Sequence, residues 1–581
     1  MKLLSIALAA QAVALPAFSA RYIVKFKDEN NVQKVQSEFQ KYSTQNSFDL
    51  FGARFKSNKI NLLGLNALAV RSLNRLNLVS VNVNTKEDAA KLQRNPLVAY
   101  AEPEFFVQAP PAIKDNLDGG EVTWGLNAID AQGAWATGAR GQGIRVAVID
   151  TGIEKEHPDL SGNFLEGKSF LNRSESEGPF SKNPGIMGSF LLEEILDSEE
   201  GSELPYEYFD DVGHGTHVAG TIAGIENGVG VVGVAPAAKI LAGKVCSRIG
   251  CSSIAILNGL NWSLEKKVDV VNMSLGGPVP SRAHSDACQA LENAGIVVIA
   301  ASGNDGDSEK NKISFPAGYP SVFSVGAVTP ELTRASFSQY GPNLQITAPG
   351  TEVISSVPVG TGRESKVLIH QGGTDAQVKS TSFVGSLDNE SPLTGELVPA
   401  GLGKPEDFSN AAAYKGKIAL IARGEIPFAE KVQNALEAGV VGVVVYNNTS
   451  GLISGSITQD GSTLSIPVAM VEKSVGETAV QAIHQGESVS ASISVARTDY
   501  AAFAGTSMAS PHVAGVAALV KSANRSLTPQ QLKGLLKTSA TPVASPSGDN
   551  EYGAGIVNAG RAVNSALQLQ NTIRMPTLVN R

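Results

Sequence analysis

Three residues whose side chains can cooperate in nucleophilic catalysis stand where strand or helix patterns end or begin. Asp150 ends the apolar run GIRVAVID, His214 opens HGTHVAGTIAG, and Ser507 lies within FAGTSMASPHVAG. A serine hydroxyl is a weak nucleophile until an imidazole accepts its proton, and a carboxylate can orient that imidazole and stabilise its charged form. Each residue alone is also explained as a helix cap or a turn residue. Together they predict acyl transfer at Ser507.

The order of these residues along the chain distinguishes between possible folds. An α/β-hydrolase carries its serine in G-x-S-x-G, with the acid and the histidine downstream. Here the order is Asp, His, Ser, and the one histidine after Ser507 is His512, five residues along the same predicted helix. This order excludes the α/β-hydrolase arrangement.

The segments that must position these residues alternate, from Gly143 onward, between short apolar runs and helical patterns. The apolar runs predict buried strands in GIRVAVID, AKILAGKV, VDVVNMS, GIVVIAASG and SVFSVGAV. Helical patterns include SSIAILNGLNWSLEKK, RAHSDACQALENAG and, with Thr528 as its N-cap, TPQQLKGLLKTSA. Such alternation predicts an α/β fold with a doubly wound, mostly parallel sheet. Functional groups in such sheets gather at the carboxyl ends of the strands and at the helix starts that follow.

The N-terminal region divides into a targeting segment and a small module. MKLLSIALAAQAVALPAFS, residues 1–19, has one lysine, an apolar run and small residues before the expected cut, which predicts a secretory signal peptide and a secreted protein. Residues 20–110 alternate strand and helix patterns in the order expected of an α+β, ferredoxin-like unit. The stretch APP followed by KDNLDGG reads as an exposed linker that could be cut. No later segment approaches the ~20 apolar residues of a membrane-spanning helix.

Composition and charge restrict the partners of the chain. The 581 residues carry a net charge of −8, with residues 20–110 at +5 and residues 111–581 at −14, so an acidic body argues against nucleic acid as a partner. The basic N-terminal module could instead pair with that acidic body within one chain. The three cysteines exclude a disulfide framework and a zinc cluster. Cys246 and Cys251 could form a small disulfide loop, which the sequence leaves open, and Cys288 is expected to be a buried apolar residue.

Five sequence blocks in fixed order resemble the signature segments of the subtilases, the subtilisin-like serine proteases. The blocks are DTGIEKEHPDL, GHGTHVAGTIAG, NMSLGG, AASGN and GTSMASPHVAG, and the resemblance covers roughly residues 140–357 and 498–565. It implies a secreted endopeptidase with Asp150 as the orienting carboxylate, His214 as the general base and Ser507 as the nucleophile. By the same resemblance His217 has a structural role.

The resemblance also assigns the groups around the reacting bond. It implies that the side-chain amide of Asn304 stabilises the oxyanion together with the backbone N–H of Ser507. It further implies that an extended protein or peptide substrate pairs with one backbone segment and enters its main pocket there. The implied substrate-binding residues are Ser274, Leu275, Gly276 and Gly303.

Calcium is the cofactor that the resemblance implies, in a structural site, and no catalytic cofactor is expected. Backbone carbonyls are ordinary ligands of this hard ion, so apolar residues are acceptable members of the set. The implied ligands are Asp159, Ile225, Asn227, Val229 and Val231. A separate acidic stretch, residues 174–211, has eleven Asp and Glu against one Lys. We interpret it as a solvated loop, with an additional calcium site as the less favoured alternative.

Two further modules complete the predicted organisation. Residues 20–110 resemble a subtilase propeptide, which implies an intramolecular inhibitor cut off by the enzyme itself. The Gly-, Ser- and Thr-rich region between Pro358 and Tyr500 interrupts the α/β rhythm, and GKIALIARGEIPFAEKVQNALEAGVVGVVVYNN resembles a protease-associated (PA) domain. The predicted boundaries are 1–19 for the signal peptide, 20–110 for the propeptide, 111–360 and 498–581 for the catalytic domain, and 361–497 for the β-rich PA insertion.

Other functions remain open at this point. A catalytically idle protein that binds partners through the PA-like module is one alternative, and the presence of all four catalytic-type residues argues against it. Peptide ligation on the same acyl-enzyme is another, because it differs only in whether water or an amine attacks. We expect a monomer that acts on proteins or peptides, without nucleic acid or membrane partners.

Overall fold

The fold is taken from a computed structural model of the full chain. It describes residues 20–28, 32, 47–50, 53–56, 60–62, 65–83, 86–107, 122–171, 207–248, 250–306, 308, 311–383, 385–448, 452, 457, 463–543 and 550–574. The predicted signal peptide at 1–19, the linker after residue 107 and most of the acidic stretch 174–211 lie outside these residues.

The N-terminal module forms a five-stranded antiparallel sheet with strand order β4-β5-β6-β1-β7. Alternate side chains of β1 and β6 point into a small core of the module's own, with Tyr22, Val24 and Phe26 from β1 and Val79, Val81 and Val83 from β6. The first helix that the sequence predicts falls outside the described residues, so the ferredoxin-like topology stays a prediction. The elements are β1 (Ala20–Phe26), β2 (Ser47–Leu50), β3 (Ala53–Lys56), β4 (Ile60–Leu62), β5 (Leu65–Leu73), β6 (Leu78–Val83), α1 (Lys86–Arg94), β7 (Val98–Pro103) and β8 (Phe106–Val107).

A seven-stranded parallel sheet forms the centre of the main domain, in the order β10-β11-β9-β14-β15-β16-β17. All five predicted strands are in it, which confirms the parallel α/β prediction, and two further strands at its edges were missed. The elements before the insertion are α2 (Trp124–Ala128), α3 (Ala131–Trp135), β9 (Arg145–Asp150), β10 (Phe164–Ser169), α4 (His214–Ala223), β11 (Lys239–Lys244), β12 (Cys246–Ser247), β13 (Gly250–Ser252), α5 (Ser253–Lys266), β14 (Val270–Met273), α6 (Arg282–Asn293), β15 (Val297–Ala301), β16 (Val322–Val328), β17 (Ile346–Pro349) and β18 (Val353–Ser356).

Helices cover both faces of this sheet, as a doubly wound fold requires. Helices α5 and α6 pack on one face in a core that includes Trp262 and Leu291. Helix α4 and the helices after the insertion pack on the other, around residues such as Val218 and Val516. The later elements are β27 (Tyr500–Phe503), α9 (Thr506–Ala523), α10 (Pro529–Thr538), which Thr528 caps as predicted, and α11 (Ala559–Arg574).

The insertion is an eight-stranded mixed sheet with two helices. Its ends are held together because β18 pairs antiparallel with β27, from Val353 opposite Phe503 to Ser356 opposite Tyr500. A module can be inserted between two such neighbouring strands without moving the elements that carry the site. Its elements are β19 (Gly362–Gln371), β20 (Thr374–Val378), β21 (Ser380–Ser382), β22 (Asn389–Pro399), β23 (Ile418–Ala422), α7 (Phe428–Glu437), β24 (Gly442–Tyr446), β25 (Val468–Val471), α8 (Lys473–His484) and β26 (Val489–Thr498).

Two cysteines join across the hairpin formed by β12 and β13. Cys246 and Cys251 are directly opposite each other in the antiparallel ladder and form a disulfide. Cys288 keeps its thiol and is buried in α6, as its helical pattern indicates. In the part of the chain that the structure describes, every helix is too short or too polar to cross a bilayer.

Candidate active site

Asp150 and His214 meet at the carboxyl end of the central strand β9. Asp150 is the last residue of the strand and His214 is the first residue of α4, so both lie at the sheet edge where functional groups gather. His214 Nδ1 lies 2.7 Å from Asp150 Oδ1, and both side chains are only 2% exposed. This is the separation of a charge-assisted hydrogen bond.

A glycine lets helix α4 start so close to the strand. A Cβ atom on Gly215 would lie 2.2 Å from the carbonyl oxygen of Gly152, so any larger residue would force the two backbones apart. Gly152 has φ near +112°, a conformation that side chains disfavour. Both glycines flank the acid and the histidine, and the Asp150–His214 hydrogen bond depends on their lack of side chains.

The electrostatics of the pair suit a general base. Burial, the largest single effect, lowers the pKa of His214, but the carboxylates of Asp150 and Asp210 together raise the pKa above its ordinary value. Asp150 Oδ2 and His214 Nε2 are buried without a hydrogen-bond partner among the described residues. The ring nitrogen opposite the acid is therefore available to accept a proton.

Ser507 lies in the first turn of helix α9, which packs against α4. Its hydroxyl donates to the carbonyl oxygen of Ser274 at 3.0 Å, and since His214 Nε2 has no partner, the structure does not join Ser507 to His214 by a hydrogen bond. The sequence left Ser507 open as a helix cap, but the N-cap position of this helix is Gly505, so Ser507 is not its cap. The nucleophile candidate is 1% exposed.

Asn304 lies beside the start of the same helix. Its Oδ1 accepts from the backbone N–H and the hydroxyl of Thr506, both at 2.9 Å, and this orients the amide so that Nδ2 faces Gly505. A Cβ atom built on Gly505 would lie 3.5 Å from Asn304 Nδ2 and 3.6 Å from the backbone nitrogen of Ser507. The side-chain amide nitrogen of Asn304 and the backbone nitrogen of Ser507 therefore both lie close to Gly505, at the start of the helix that carries the serine.

The predicted substrate-binding residues border this site. Ser274, Leu275 and Gly276 follow β14, and the next residue, Gly277, makes two backbone hydrogen bonds with Phe315, of 3.0 and 2.8 Å. Gly303 has φ near +112°, and a Cβ there would lie 1.5 Å from the side-chain oxygen of Gln339. The positive φ and the side chains of Gln339 and Ser314 packed against this position favour glycine there.

The end of the N-terminal module adds a strand to the main domain. Phe106 and Val107 pair antiparallel with Ser252 and Cys251 of β13. A Cβ on Gly277 would lie 2.9 Å from Val107 Cγ1, so this valine covers the segment that follows Ser274. The segment leading to the predicted cut thus pairs with the main domain as an extended peptide would.

Acidic side chains of the same module reach two helix starts. Glu102 accepts from the backbone N–H of Ala283 at 3.0 Å, in the first turn of α6. Glu104 accepts from the hydroxyl of Ser252 at 2.7 Å, the N-cap of α5. Carboxylates at helix N-termini are stabilising. The net charges of the two regions did not predict these contacts. Each contact depends on a free hydrogen-bond donor at the start of one helix and not on total charge.

Asp210 is a residue of the site that sequence reasoning missed, because it was included in a loop interpreted as solvated. That interpretation is wrong for Asp210, which is 0% exposed. It accepts five hydrogen bonds between 2.7 and 3.1 Å, from Val212, Gly213, Thr216 and Thr151. Its position three residues before Gly213, at the start of a helix, is a signal that could have indicated a helix-capping acid.

Two other histidines near the site are neutral structural residues. His217 is buried, its Nε2 lies 2.8 Å from the carbonyl oxygen of Val353, and burial lowers its pKa to about 3. Its ring stacks on Phe503 with centroids 4.1 Å apart. His512 bonds the carbonyl oxygen of Met508 and has its pKa lowered by burial to about 4.

The residues implied as calcium ligands form one loop around Asp159. The carboxylate of Asp159 is 0% exposed and accepts from Asn227 Nδ2 at 3.2 Å and from the N–H of Val231 at 3.0 Å. Its hydrogen-bond donors are neutral, and burial raises the pKa of the carboxyl. Ile225 donates its N–H to the Asp159 carbonyl, and Val229 donates its N–H to Asn227.

This donor set fits calcium and not a transition metal. It offers one carboxylate, one amide oxygen and backbone carbonyls, which are the oxygen ligands that a hard cation prefers. Among the described residues no three His, Cys, Asp or Glu side chains gather closely enough to hold a metal. A cation here would neutralise a buried carboxylate that no positively charged side chain contacts within the described hydrogen bonds.

Comparisons with known proteins give matches in two segments. Residues 141–386 match the model of the subtilase family and residues 393–479 match that of the PA domain. Subtilisin NAT of Bacillus subtilis subsp. natto is 38% identical over 278 residues, which are 47% of this chain and 62% of that protein. The thermostable alkaline protease of Halalkalibacterium halodurans is 33% identical over 338 residues, 57% of this chain and 81% of that protein.

A solved structure agrees with these matches. The crystal structure of Apa1, a psychrophilic subtilisin-like protease from the Antarctic psychrotroph Pseudoalteromonas sp. AS-11, superimposes with a TM-score of 0.50 at 28% sequence identity. The superposition covers 76% of this chain and 98% of Apa1. The likeness thus extends beyond the segment that the sequence relatives share.

Proposed function

This chain belongs to the subtilase family, and we propose that it is a secreted serine endopeptidase, made as a zymogen, that hydrolyses peptide bonds of proteins through an acyl-enzyme. One observation carries the proposal. Asp150 holds His214 at 2.7 Å, and the opposite ring nitrogen has no partner among the described residues, beside a helix whose first turn carries Ser507.

In the acylation step, Ser507 Oγ attacks the carbonyl carbon of the scissile bond. His214 Nε2 accepts the hydroxyl proton, and the adjacent Asp150 carboxylate stabilises the imidazolium that results. The Ser507 hydroxyl donates to the Ser274 carbonyl here, so attack requires this hydroxyl to transfer its hydrogen bond to His214. Such catalytic hydrogen bonds commonly form only once substrate is bound.

The carbonyl oxygen of the substrate gains negative charge as Ser507 attacks. Asn304 Nδ2 and the backbone N–H of Ser507 are the proposed donors to this oxygen, and the proximity of both nitrogens to Gly505 supports the assignment. A single donor of this kind is worth about 3 kcal/mol of transition-state stabilisation. The imidazolium of His214 then protonates the leaving amine, and the peptide bond breaks.

Deacylation repeats these steps with water as the nucleophile. His214, neutral again, accepts a proton from water as the water oxygen attacks the ester carbonyl. The same two N–H donors stabilise the second oxyanion, and His214 returns the proton to Ser507 Oγ as the acid product leaves. The enzyme is restored without any redox change or cofactor in the step.

The substrate is an extended segment of a protein or peptide. The pairing of Phe106 and Val107 with β13, and the cover that Val107 forms over Gly277, support binding by strand addition. One wall of the pocket next to the scissile bond is then formed by Ser274, Leu275 and Gly276. Gly303 belongs to the segment that forms the opposite wall.

The N-terminal module, residues 20–110, is proposed to be an inhibitory propeptide removed by the enzyme itself. Its last described strand occupies the edge that an extended substrate would pair with, and Glu102 and Glu104 anchor it at two helix starts. The cut falls within roughly residues 107–120. A Ser507→Ala chain should therefore be secreted at full precursor size, and normal processing of that chain would exclude self-cleavage.

Calcium is proposed as a structural cofactor held by Asp159, Asn227 and the carbonyl groups of Ile225, Val229 and Val231. The ion would supply positive charge to the buried Asp159 carboxylate and tie together the loop 225–231. It takes no part in the bond-breaking steps. The PA insertion is proposed to limit or bind protein substrates, since both of its ends leave the catalytic domain at β18 and β27, next to the site.

A tagged fluorophosphonate probe tests the central proposal. Mature wild-type protein should be labelled covalently on Ser507, and Ser507→Ala and His214→Ala should not be labelled. Ser263→Ala removes a buried hydroxyl that bonds a helix carbonyl in α5 and should leave labelling intact. Absence of labelling in mature wild-type protein would overturn the endopeptidase proposal in favour of an idle, partner-binding protein. Product analysis with added amine then separates hydrolysis from ligation.

A further inference from the structure

Asp210 is the most heavily hydrogen-bonded carboxylate next to the Asp150–His214 pair. Oδ1 accepts from the Thr151 hydroxyl and the N–H groups of Val212 and Gly213, at 2.8, 3.1 and 2.8 Å. Oδ2 accepts from the N–H and hydroxyl of Thr216, at 2.8 and 2.7 Å. All five donors are neutral, so they stabilise the negative charge without cancelling it.

These bonds hold both segments that carry the catalytic pair. Thr151 directly follows Asp150, and Gly213 and Thr216 flank His214 at the start of α4. The Thr151 hydroxyl also accepts the N–H of Gly215 at 2.8 Å, so one threonine side chain links the strand end, the helix start and Asp210. Asp210 therefore fixes the end of β9 relative to the start of α4.

Lys244 braces the same two segments from the neighbouring strand β11. Its ammonium donates to the carbonyl oxygens of Thr151 and Phe209 at 2.8 and 2.9 Å, and it forms an ion pair with Asp211. The ammonium group of Lys244 is thus paired with Asp211 and hydrogen-bonded to backbone carbonyls. None of the described hydrogen bonds or ion pairs of Lys244 reaches Asp210.

The charge of Asp210 acts on His214 in the same direction as that of Asp150. Both carboxylates favour the imidazolium and raise the pKa of His214 against the effect of burial. The other titratable neighbour on α4, His217, remains neutral because burial lowers its pKa to about 3. The buried surroundings of His214 therefore contain two carboxylates, of which only Asp150 contacts the ring.

We propose that Asp210 is a positioning residue of the reaction, a second buried carboxylate that aligns Asp150 with His214 and favours the imidazolium formed during acyl transfer. This inference rests on the proposed protease function. Asp210 touches neither substrate nor the reacting atoms, and it acts through Thr151, through the first turn of α4 and through its charge.

The test compares pH profiles of kcat/KM on a chromogenic peptide amide for mature wild type and Asp210→Asn. The variant keeps the side-chain shape but loses the charge, so the acidic limb of its profile should move to lower pH by about 0.5 unit. Its kcat should fall about tenfold to a hundredfold, because the catalytic pair is less well aligned. A purely structural role would lower activity without moving the limb, and an unmoved limb overturns the charge role.

Asp269→Asn is the matched control. Asp269 accepts from the N–H of Arg145 at 2.9 Å, at the opposite end of β9, so it is a strand-capping carboxylate remote from His214. Its profile should coincide with that of wild type. Inactive wild-type protein would refute the protease function itself, whereas an active wild type with an unshifted Asp210→Asn refutes only this inference.

Thr151→Val keeps the test decisive if Asp210→Asn is not secreted. This change breaks the link between the strand end and Asp210 but leaves every charge in place. A fall in kcat of about tenfold or more at similar KM is expected. Wild-type kcat in Thr151→Val would overturn the positioning role of Asp210.

Discussion

The hydroxyl of Ser274 donates a 2.7 Å hydrogen bond to the carbonyl oxygen of Ser507, while the carbonyl of Ser274 accepts the Ser507 hydroxyl at 3.0 Å. The Ser507 carbonyl needs this outside donor because residue Pro511, four positions later in α9, has no N–H to offer. Asn272 in turn donates to the Ser274 hydroxyl at 3.0 Å. One serine thus holds both polar ends of the proposed nucleophile.

The first prediction concerns this double contact. Ser274→Ala removes the hydroxyl donor but leaves the backbone carbonyl that accepts the Ser507 hydroxyl, so kcat should fall about tenfold with KM little changed, about 1.4 kcal/mol of lost alignment. Steady-state kinetics on a peptide amide measure this. Ser263→Ala is the control, since Ser263 is a buried serine that bonds a helix carbonyl in α5, and it should keep wild-type kcat. A kcat of Ser274→Ala equal to that of wild type would show that the Ser274 hydroxyl does not help to position Ser507.

The second prediction concerns the proposed oxyanion donor. Asn304→Ala should lower kcat by about 10² to 10³ with little effect on KM, because the amide interacts with charge that develops only in the transition state. Thr506→Val removes one of the two hydrogen bonds that orient this amide and should cost less than about tenfold. A rise in KM without loss of kcat in Asn304→Ala would instead indicate a role in substrate binding.

The third prediction is a loss of stability in mild acid. Burial lowers the pKa of His217 to about 3 and of His284 and His512 to about 4, from an ordinary value of 6.5. Below about pH 6.5 the unfolded chain therefore binds protons that the native state does not. The free energy of unfolding should fall toward pH 4, by up to about 1.4 kcal/mol per unit for each histidine.

Urea unfolding of the Ser507→Ala chain between pH 7.5 and 5 measures this slope without autolysis. His512→Gln removes one of the three groups and should flatten the slope. His484→Gln changes an exposed histidine of α8 and should leave it as in the parent. A midpoint independent of pH would contradict the assignment of these histidines as buried and neutral.

The fourth prediction concerns calcium. If the loop around Asp159 binds the ion, calcium at a hundredfold excess over Kd should stabilise the protein by about 2.7 kcal/mol, and EDTA should remove this gain. Asp159→Asn should abolish the difference between calcium and EDTA in thermal unfolding. Tyr500→Phe should reduce it, because the Tyr500 hydroxyl bonds the Asp159 carboxylate from the strand that returns from the insertion.

Asp375→Asn provides the calcium control, because Asp375 is an exposed acid of the insertion that pairs with His370. The Asp375→Asn variant should retain the full difference in thermal unfolding between calcium and EDTA. Isothermal titration calorimetry with calcium alone gives a second readout that does not depend on proteolysis. A shift that survives in Asp159→Asn would place the ion elsewhere.

Local patterns correctly predicted the elements that carry the site. Continuous apolar runs gave the strands that end at Asp150 and at Met273, because a strand buried on both faces has no polar alternation. The edge strands at 164–169 and 346–349 and the helix at 473–484 were missed, since short or mixed patterns are defined mainly by their packing. The same holds for the disulfide between Cys246 and Cys251, which the sequence left open.

Residue types and their order determined which side chains could react, because acid, base and hydroxyl are properties of single residues. Which contacts they make depends on distant segments, so only the tertiary structure decided it. Asp150 meets His214 across 64 residues, and Ser507 is held by Ser274 from 233 residues away. The structure likewise buried Asp210, which a local count of acids assigned to solvent, and joined the ends of the insertion through β18 and β27.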